Sequence, residues 1–439
     1  NFEYAKEAER GYESHEDLLT PGIFEMPIAK GQSIILSCSL SEVDPSGIAA
    51  DYEAEISRRS VKTEFKPCLR HSARQFFVRR GDRAEVIAGY PWYGMRGRDA
   101  LMALPGLALT QGRADEMTAV LDRMIAERKD GIFANYPGDY STSDTSLYFF
   151  YDMIALERHI GREAIWERYG DVMKEILEAY ASDPSGRGVV MHDNGLIWAD
   201  GGGRPLTWMD GRVDGKAVTE RRGYQVEVNA LWHTAVCYTL ELARQFCDRD
   251  TIEKWDGLPE RIRESFAATF WLDDGYLADY VNEEEVSRLV RPNQVLACST
   301  TYPLLDEVQT ISLLATIDRY LLTPRGLRTL APDSVDYTGF YEGDEMARSL
   351  STHEGSIRPW LLVPYLAIKL KLYGADYLDE AKGIIDSFRE DFTEYGIGTV
   401  AELYEGNPPY RPKGAISFAV NVAAVLCMIE AVETAEAEL

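Results

Sequence analysis

The chain has no apolar stretch approaching the roughly 20 residues that a membrane-spanning helix needs, and its six cysteines (Cys38, Cys68, Cys237, Cys247, Cys298, Cys427) include no Cys-x-x-Cys pair. The first absence removes a transmembrane helix. The second argues against both a zinc cluster and a disulfide framework, so the cysteines read as mostly core thiols. Positive charge is also scarce: 46 Lys and Arg stand against 72 Asp and Glu, a formal charge of -26. A surface of that sign repels phosphate backbones and anionic bilayers, so neither nucleic acid nor membrane is an expected partner. Most of the acid excess reads as solvated surface, a matter of solubility more than of substrate. No signal-like segment follows Asn1, so the expected compartment is the cytoplasm, although the missing initiator Met leaves room for a removed leader. What is present is 45% hydrophobic residues over 439 positions, enough for one large domain or two ordinary ones.

Residues 1–44 show short alternating stretches with turn signals, and "GIFEMPIAKGQSIILSCSL" reads as two strands. After a linking helix near 45–60, helical periodicity takes over. It predicts helices over 66–78, 99–111, 113–129, 144–160, 162–182, 225–247, 252–270, 291–300, 305–321, 356–373, 376–394 and 415–433. The links between them alternate between short and long. Antiparallel helices closed into a ring of hairpins would place all long loops at one end. The expected fold is therefore all-α, an (α/α)6 barrel over 66–439. It is preceded by a 45–65 linker and by the strand-like 1–44 segment.

The long loops carry the chemistry. "AGYPWYGMRGRD" brings Tyr90, Trp92 and Tyr93 beside Arg98 and Asp99; aromatic faces stack on sugars and an Arg–Asp pair grips hydroxyls, while Asp99 could instead cap its helix. The next loop offers Asn135, Tyr136 and Asp144, the last at a capping position. The longest loop holds "PLTWMDG", in which Asp210 ends an apolar aromatic run. A turn explains the Asp but not the Trp208–Met209 pair, and a cleft wall explains both. Glu227 follows, read as a partner for Arg221 or Arg222 or as a substrate contact. "DDGY" in the fourth loop could form a calcium turn, but no metal is expected. "THEGSIRPW" presents His353 and Glu354, the histidine more often structural than catalytic. The last long loop presents Glu402 and Glu405 on a Gly- and Pro-rich frame. Two carboxylates on separate loops, with aromatics and no nucleophile or metal motif, point to glycoside hydrolysis.

The stretches "GYPWYGMRGRDAL", "LTWMDGRVDGKAVTERRGYQVEVNALW", "LRTLAP", "HEGSIRPWL" and "AELYEGNPP" resemble, in order and spacing, the amylo-α-1,6-glucosidase part of glycogen debranching enzymes. "ERGYESHEDLLTPGIFEMPIAKG" looks like the end of that family's preceding β-sandwich domain, which implies that 1–44 ends a β-sandwich-like domain. The resemblance implies a six-hairpin, exo-acting, inverting glucosidase acting on an α-linked carbohydrate without a cofactor. It implies Asp210 as general acid, Glu402 as general base, and Arg98 with Asp99 as the grip on the terminal sugar. An Asp ionises near pH 4 in water, so Trp208, Met209 and a second carboxylate are expected to keep the acid protonated. The chain departs from the family pattern at Thr352, Glu354 and Arg358, and at Phe418 to Asn421. These changes remove two aromatic platforms and add two charges near the pocket. Alternatives are a different sugar specificity, or a carbohydrate-binding protein without turnover.

Overall fold

Helix dominates where apolar residues recur on one face. In Ala114–Ala126, Met117, Val120, Leu121 and Met124 are buried at helical spacing, with Asp115 and Glu116 in the first turn and Arg123 in the last. The structure, a computed structural model, describes residues 2–9, 11–59, 63–81, 83–299 and 301–438. It divides into two units, Asn1–His71 and Ser72–Leu439. Residues 60–62 of the expected linker lie outside the described residues.

In the first unit, strand Phe2–Glu3 pairs antiparallel with His15–Glu16 around helix Ala5–Glu9. The linking helix is present as Ile48–Arg58. The two strands expected within 22–40 are not. That segment has no regular secondary structure, with Ile23 and Phe24 exposed, and no ladder forms along it. An alternating pattern becomes a strand only against an edge that accepts its hydrogen bonds, and no described residue supplies one.

In the second unit the expected helices appear as Gly97–Ala108, Ala114–Ala126, Thr145–Ile160, Arg162–Ser182, Val226–Gln245, Glu307–Tyr320, Leu362–Tyr373, Leu378–Glu390 and Ala419–Ala437. Three departures have local causes. The helix expected over 252–270 is split into Arg249–Trp255 and Leu258–Phe270 by Gly257, whose φ of 76° ends one turn while Pro259 starts the next. The helix expected over 291–300 shrinks to a 3-10 turn, Pro292–Val295, and Leu296–Ser299. Helix Glu345–His353 stands where a loop was expected, capped by the Asp344 side chain on the Ala347 N–H.

Successive helices pack face to face: Gly97–Ala108 on Thr145–Ile160, that one on Val226–Gln245, and Ala419–Ala437 back on Gly97–Ala108. The last contact is backbone-close, since a Cβ on Gly106 would stand 2.2 Å from the Ala423 carbonyl oxygen. The long loops are not irregular throughout, which corrects the all-α expectation. They build small antiparallel sheets, among them Gly326–Arg328, Ile357–Arg358, Leu403–Tyr404 and Pro412–Lys413 in that order. A short strand runs into several helix starts: Tyr93–Met95 before Gly97, Gly223–Gln225 before Val226, Ser417–Phe418 before Ala419. The core-thiol reading holds for buried Cys298 but not for Cys38 and Cys247, which are exposed; all six cysteines are free.

Candidate active site

A cavity of about 280 Å³ opens among these loops, near the lower end of the roughly 300–1,000 Å³ usual for small-ligand sites. Tyr93, Arg98, Asp99, Trp208, Asp210, His353 and Glu402 all line it, so residues from four separate loops converge on one hollow.

Asp210 ends a buried irregular segment: Leu206, Thr207 and Met209 are inaccessible, and the Asp210 side chain is 31% exposed. The Trp208 indole N–H donates to Asn293 Oδ1 at 2.8 Å, and Asn293 Nδ2 donates to Asp279 Oδ1 at 2.7 Å. Asp279 also accepts from Arg221 Nε at 2.7 Å, and Arg221 Nη2 donates to Glu227 Oε2 at 2.7 Å. This buried network fixes the indole beside the acid. Removing Arg221 would leave the buried Glu227 charge without its partner, which costs about 3–5 kcal/mol. Glu227 is thus the partner of Arg221 and does not line the cavity. The charged group against Asp210 is Arg98, whose Nη1 donates to Asp210 Oδ2 at 3.0 Å while its Nε donates to Asp144 Oδ1 at 2.9 Å.

Asp144 sits at the N-cap position of Thr145–Ile160, yet its side chain makes no cap bond there and serves Arg98 instead. Burial pushes its carboxyl up to about 6, against the lowering effect of Arg98. Asn135 is buried beneath the site and accepts the Arg98 backbone N–H at 3.2 Å. Asp99 lies in the first turn of Gly97–Ala108, where Arg96 occupies the N-cap position. Burial raises its carboxyl, partly offset by Arg96 and Arg98.

Glu402 stands at the entry to strand Leu403–Tyr404 and is held from several sides. The Tyr93 hydroxyl donates to Oε1 at 3.1 Å and Oε2 at 2.9 Å, and the Ala415 N–H donates to Oε2 at 2.9 Å. Asn421 Nδ2 donates to the Glu402 carbonyl at 2.7 Å. Gly414 is the residue the geometry demands, because a Cβ there would lie 2.5 Å from Glu402 Oε2. Burial and the neighbouring Glu402 charge raise the Tyr93 phenol well above its usual value, so it stays a donor.

Arg98 Nη2, Asp99 Oδ2, Arg358 Nε and both ring nitrogens of His353 are buried without a hydrogen-bond partner. All four residues line the cavity, and unmet donors and acceptors of that kind suit a hydroxyl-rich ligand. His353 ends helix Glu345–His353; burial and nearby Arg358 hold its ring well below the usual histidine range, so it stays neutral.

Other expected contacts lie elsewhere. Trp92 is 57% exposed, edge-on to Tyr93. The Tyr90 hydroxyl donates to the Gln75 carbonyl at 2.6 Å. Glu354 accepts from Arg291 at 2.7 Å, so of the two charges expected near the pocket only Arg358 lines it, 3.7 Å from Glu402. The aromatic lining is not lost either. Trp360, edge-on to Trp208 at 5.3 Å, and Phe418 line the cavity, as do Arg96, Tyr136 and Tyr341. Arg96, Tyr136 and Phe418 stood in stretches already singled out; Tyr341 was not singled out.

Against known proteins, residues 71–427 match the family described as Amylo-alpha-1,6-glucosidase, and residues 1–35 match the one described as Glycogen debranching enzyme N terminal. The chain is similar to a glycogen debranching enzyme of Saccharomyces cerevisiae, 22% identical over 366 residues. That match covers 62% of this chain and 24% of the yeast protein, so the chain spans about a quarter of that relative's length.

Proposed function

This chain belongs to the amylo-alpha-1,6-glucosidase family of glycoside hydrolases, and on that premise we propose that it is an exo-acting, inverting α-glucosidase cleaving α-1,6-linked glucose from glycogen-like branch stubs. The observation that carries the reading is that Asp210 and Glu402, 192 residues apart in sequence (402 minus 210), line one small cavity. Asp210 protonates the leaving glycosidic oxygen through the carboxyl oxygen that Arg98 does not hold. Glu402, oriented by Tyr93, Ala415 and Gly414, takes a proton from the attacking water. The anomeric C–O bond to the aglycone breaks as the C–O bond to water forms on the opposite face. Arg98, Asp99 and His353 bind the hydroxyls of the terminal ring, with Trp208 as its wall. A cavity this small admits a chain end and not a chain interior, which favours exo action.

We assign the helical unit to the (α/α)6 class, supported by the successive packing of its helices and the gathering of strand-led loops around the cavity. A cytoplasmic site of action belongs to the same proposal, in keeping with six free thiols. Incubation with a panel of α-linked glucosides tests the reading. Glucose release from an α-1,6-linked disaccharide is expected, and Asp210→Asn and Glu402→Gln should each lower turnover by roughly 100-fold or more while remaining folded. Near wild-type turnover in either folded variant would overturn that residue's role.

A further inference from the structure

Behind the catalytic cavity lies a second hollow that the mechanism above does not use. It occupies about 240 Å³ between Gly97–Ala108, Thr145–Ile160, Leu362–Tyr373 and Ala419–Ala437. Met102, Trp360 and Val420 line both spaces, so the two share a wall. Its lining is mostly apolar, the polar exceptions being Tyr148, Tyr151 and Asp152. Tyr148 and Asp152, on one face of their helix at i and i+4, both line it. The Asp152 carboxyl is fully buried and neither oxygen has a hydrogen-bond partner; the Tyr148 hydroxyl is likewise unmet. No Lys, Arg or His lines the chamber to answer that carboxyl. Burial alone holds it well above the usual carboxylate range, so it is a neutral group with donor and acceptor sites to fill.

The chamber also opens away from the catalytic side. Pro105, Ala155, Ala367 and Cys427 line both it and a further hollow of about 550 Å³ flanked by His159, Lys371 and Glu430. Ala367 is exposed and Ala155 half-exposed although both sit on this inner path, as expected if solvent reaches them. A recess far larger than the roughly 10–15 Å³ needed to hold one water, with unmet polar groups on its wall, offers water the partners it needs, whereas a purely apolar one stays dry.

We propose that this chamber is a rear water inlet to the catalytic cavity. Resting on the hydrolytic reading above, it supplies the nucleophile while the sugar occupies the mouth. Water enters past Ala367, is held on Asp152 and Tyr148, and passes Met102 and Val420 to the side on which Glu402 stands. Val420 and Glu402 both line the catalytic cavity, so the path opens into the space that the base faces.

A high-resolution crystal structure and steady-state kinetics on α-glucosyl fluoride test this. Ordered waters on Asp152 and Tyr148 are expected. Ala367→Trp, which narrows the outer throat, and Asp152→Leu, which dries the chamber, should lower kcat by roughly 10-fold with KM within about 2-fold. Asp152→Asn keeps two hydrogen-bonding atoms and should restore kcat. A dry chamber in the wild type, or unchanged kcat in both folded blocking variants, overturns the inlet. A wild-type protein that hydrolyses no α-glucoside overturns the functional reading itself, and the inlet's role with it.

Discussion

Replacing Tyr93 with Phe removes a single oxygen from the site. Its hydroxyl reaches Glu402 Oε1 at 3.1 Å and Oε2 at 2.9 Å. After the change Oε2 keeps the Ala415 N–H at 2.9 Å, but Oε1 keeps only Arg358 at 3.7 Å, beyond hydrogen-bond reach. A hydrogen bond to a charged group contributes about 1.5–3 kcal/mol, so a base that depends on it for orientation should lose roughly 10- to 150-fold in kcat. The ring itself stays, edge-on to Trp92 at 6.3 Å and to Phe418 at 6.1 Å, so the wall offered to the sugar is unchanged. KM should therefore stay within about 2-fold, because an interaction needed only in the transition state lowers kcat and kcat/KM together. Initial rates of glucose release give both parameters, with circular dichroism to show that the fold is intact. A kcat within about 2-fold of wild type, or a loss carried wholly by KM, would refute the positioning role.

Gly414→Ala should cost catalysis more than stability: its Cβ would meet Glu402 Oε2 at 2.5 Å at a φ of 71°, so kcat is expected to fall roughly 100-fold for a backbone strain of about 1–3 kcal/mol. The control is Gly112→Ala, which has a similar φ of 67° and open space around it, and should keep wild-type kcat. Asp144 predicts a pH dependence of stability. Because burial raises its folded carboxyl to about 6, above the unfolded value near 4, the folded protein holds a proton that the unfolded chain has released between those values. The Asp144 contribution to stability is therefore present below about pH 4 and is lost as pH rises to about 6. In urea titrations, the stability of wild type minus that of Asp144→Asn should fall across that window; a flat or rising difference would contradict the shift.

Much of the site was legible because its residues sit in long loops where aromatic, Arg and carboxylate side chains are out of place for a simple surface. What the loops do to one another was less legible. Arg98 and Asp144 both stood out, but their pairing joins the starts of two helices, and a carboxylate at a capping position reads first as a cap. Asn293, which accepts from Trp208, lay in the helix expected over 291–300, and Asp279, which holds Asn293, lay in the fourth loop, where "DDGY" suggested only a calcium turn. Helix Glu345–His353 escaped because it is only nine residues long and its apolar residues Met346, Ala347 and Leu350 are not buried, only Ser351 and His353 being buried within it. The break at Gly257 could have been found, since Asp256-Gly257-Leu258-Pro259 places a helix-ending Gly just before a helix-starting Pro. Alternation in the first 44 residues signalled strand potential, but pairing depends on a partner edge that local sequence does not encode.

The most direct test of two carboxylates working across one cavity is the anomer first released from an α-1,6-linked glucoside, followed by proton NMR before mutarotation sets in. Inversion by Asp210 and Glu402 predicts β-glucose as the initial product, the outcome expected of carboxyl groups that stand about 6.5–9.5 Å apart with room for a water. Initial α-glucose would mean a covalent intermediate and a different division of roles, and would contradict the account.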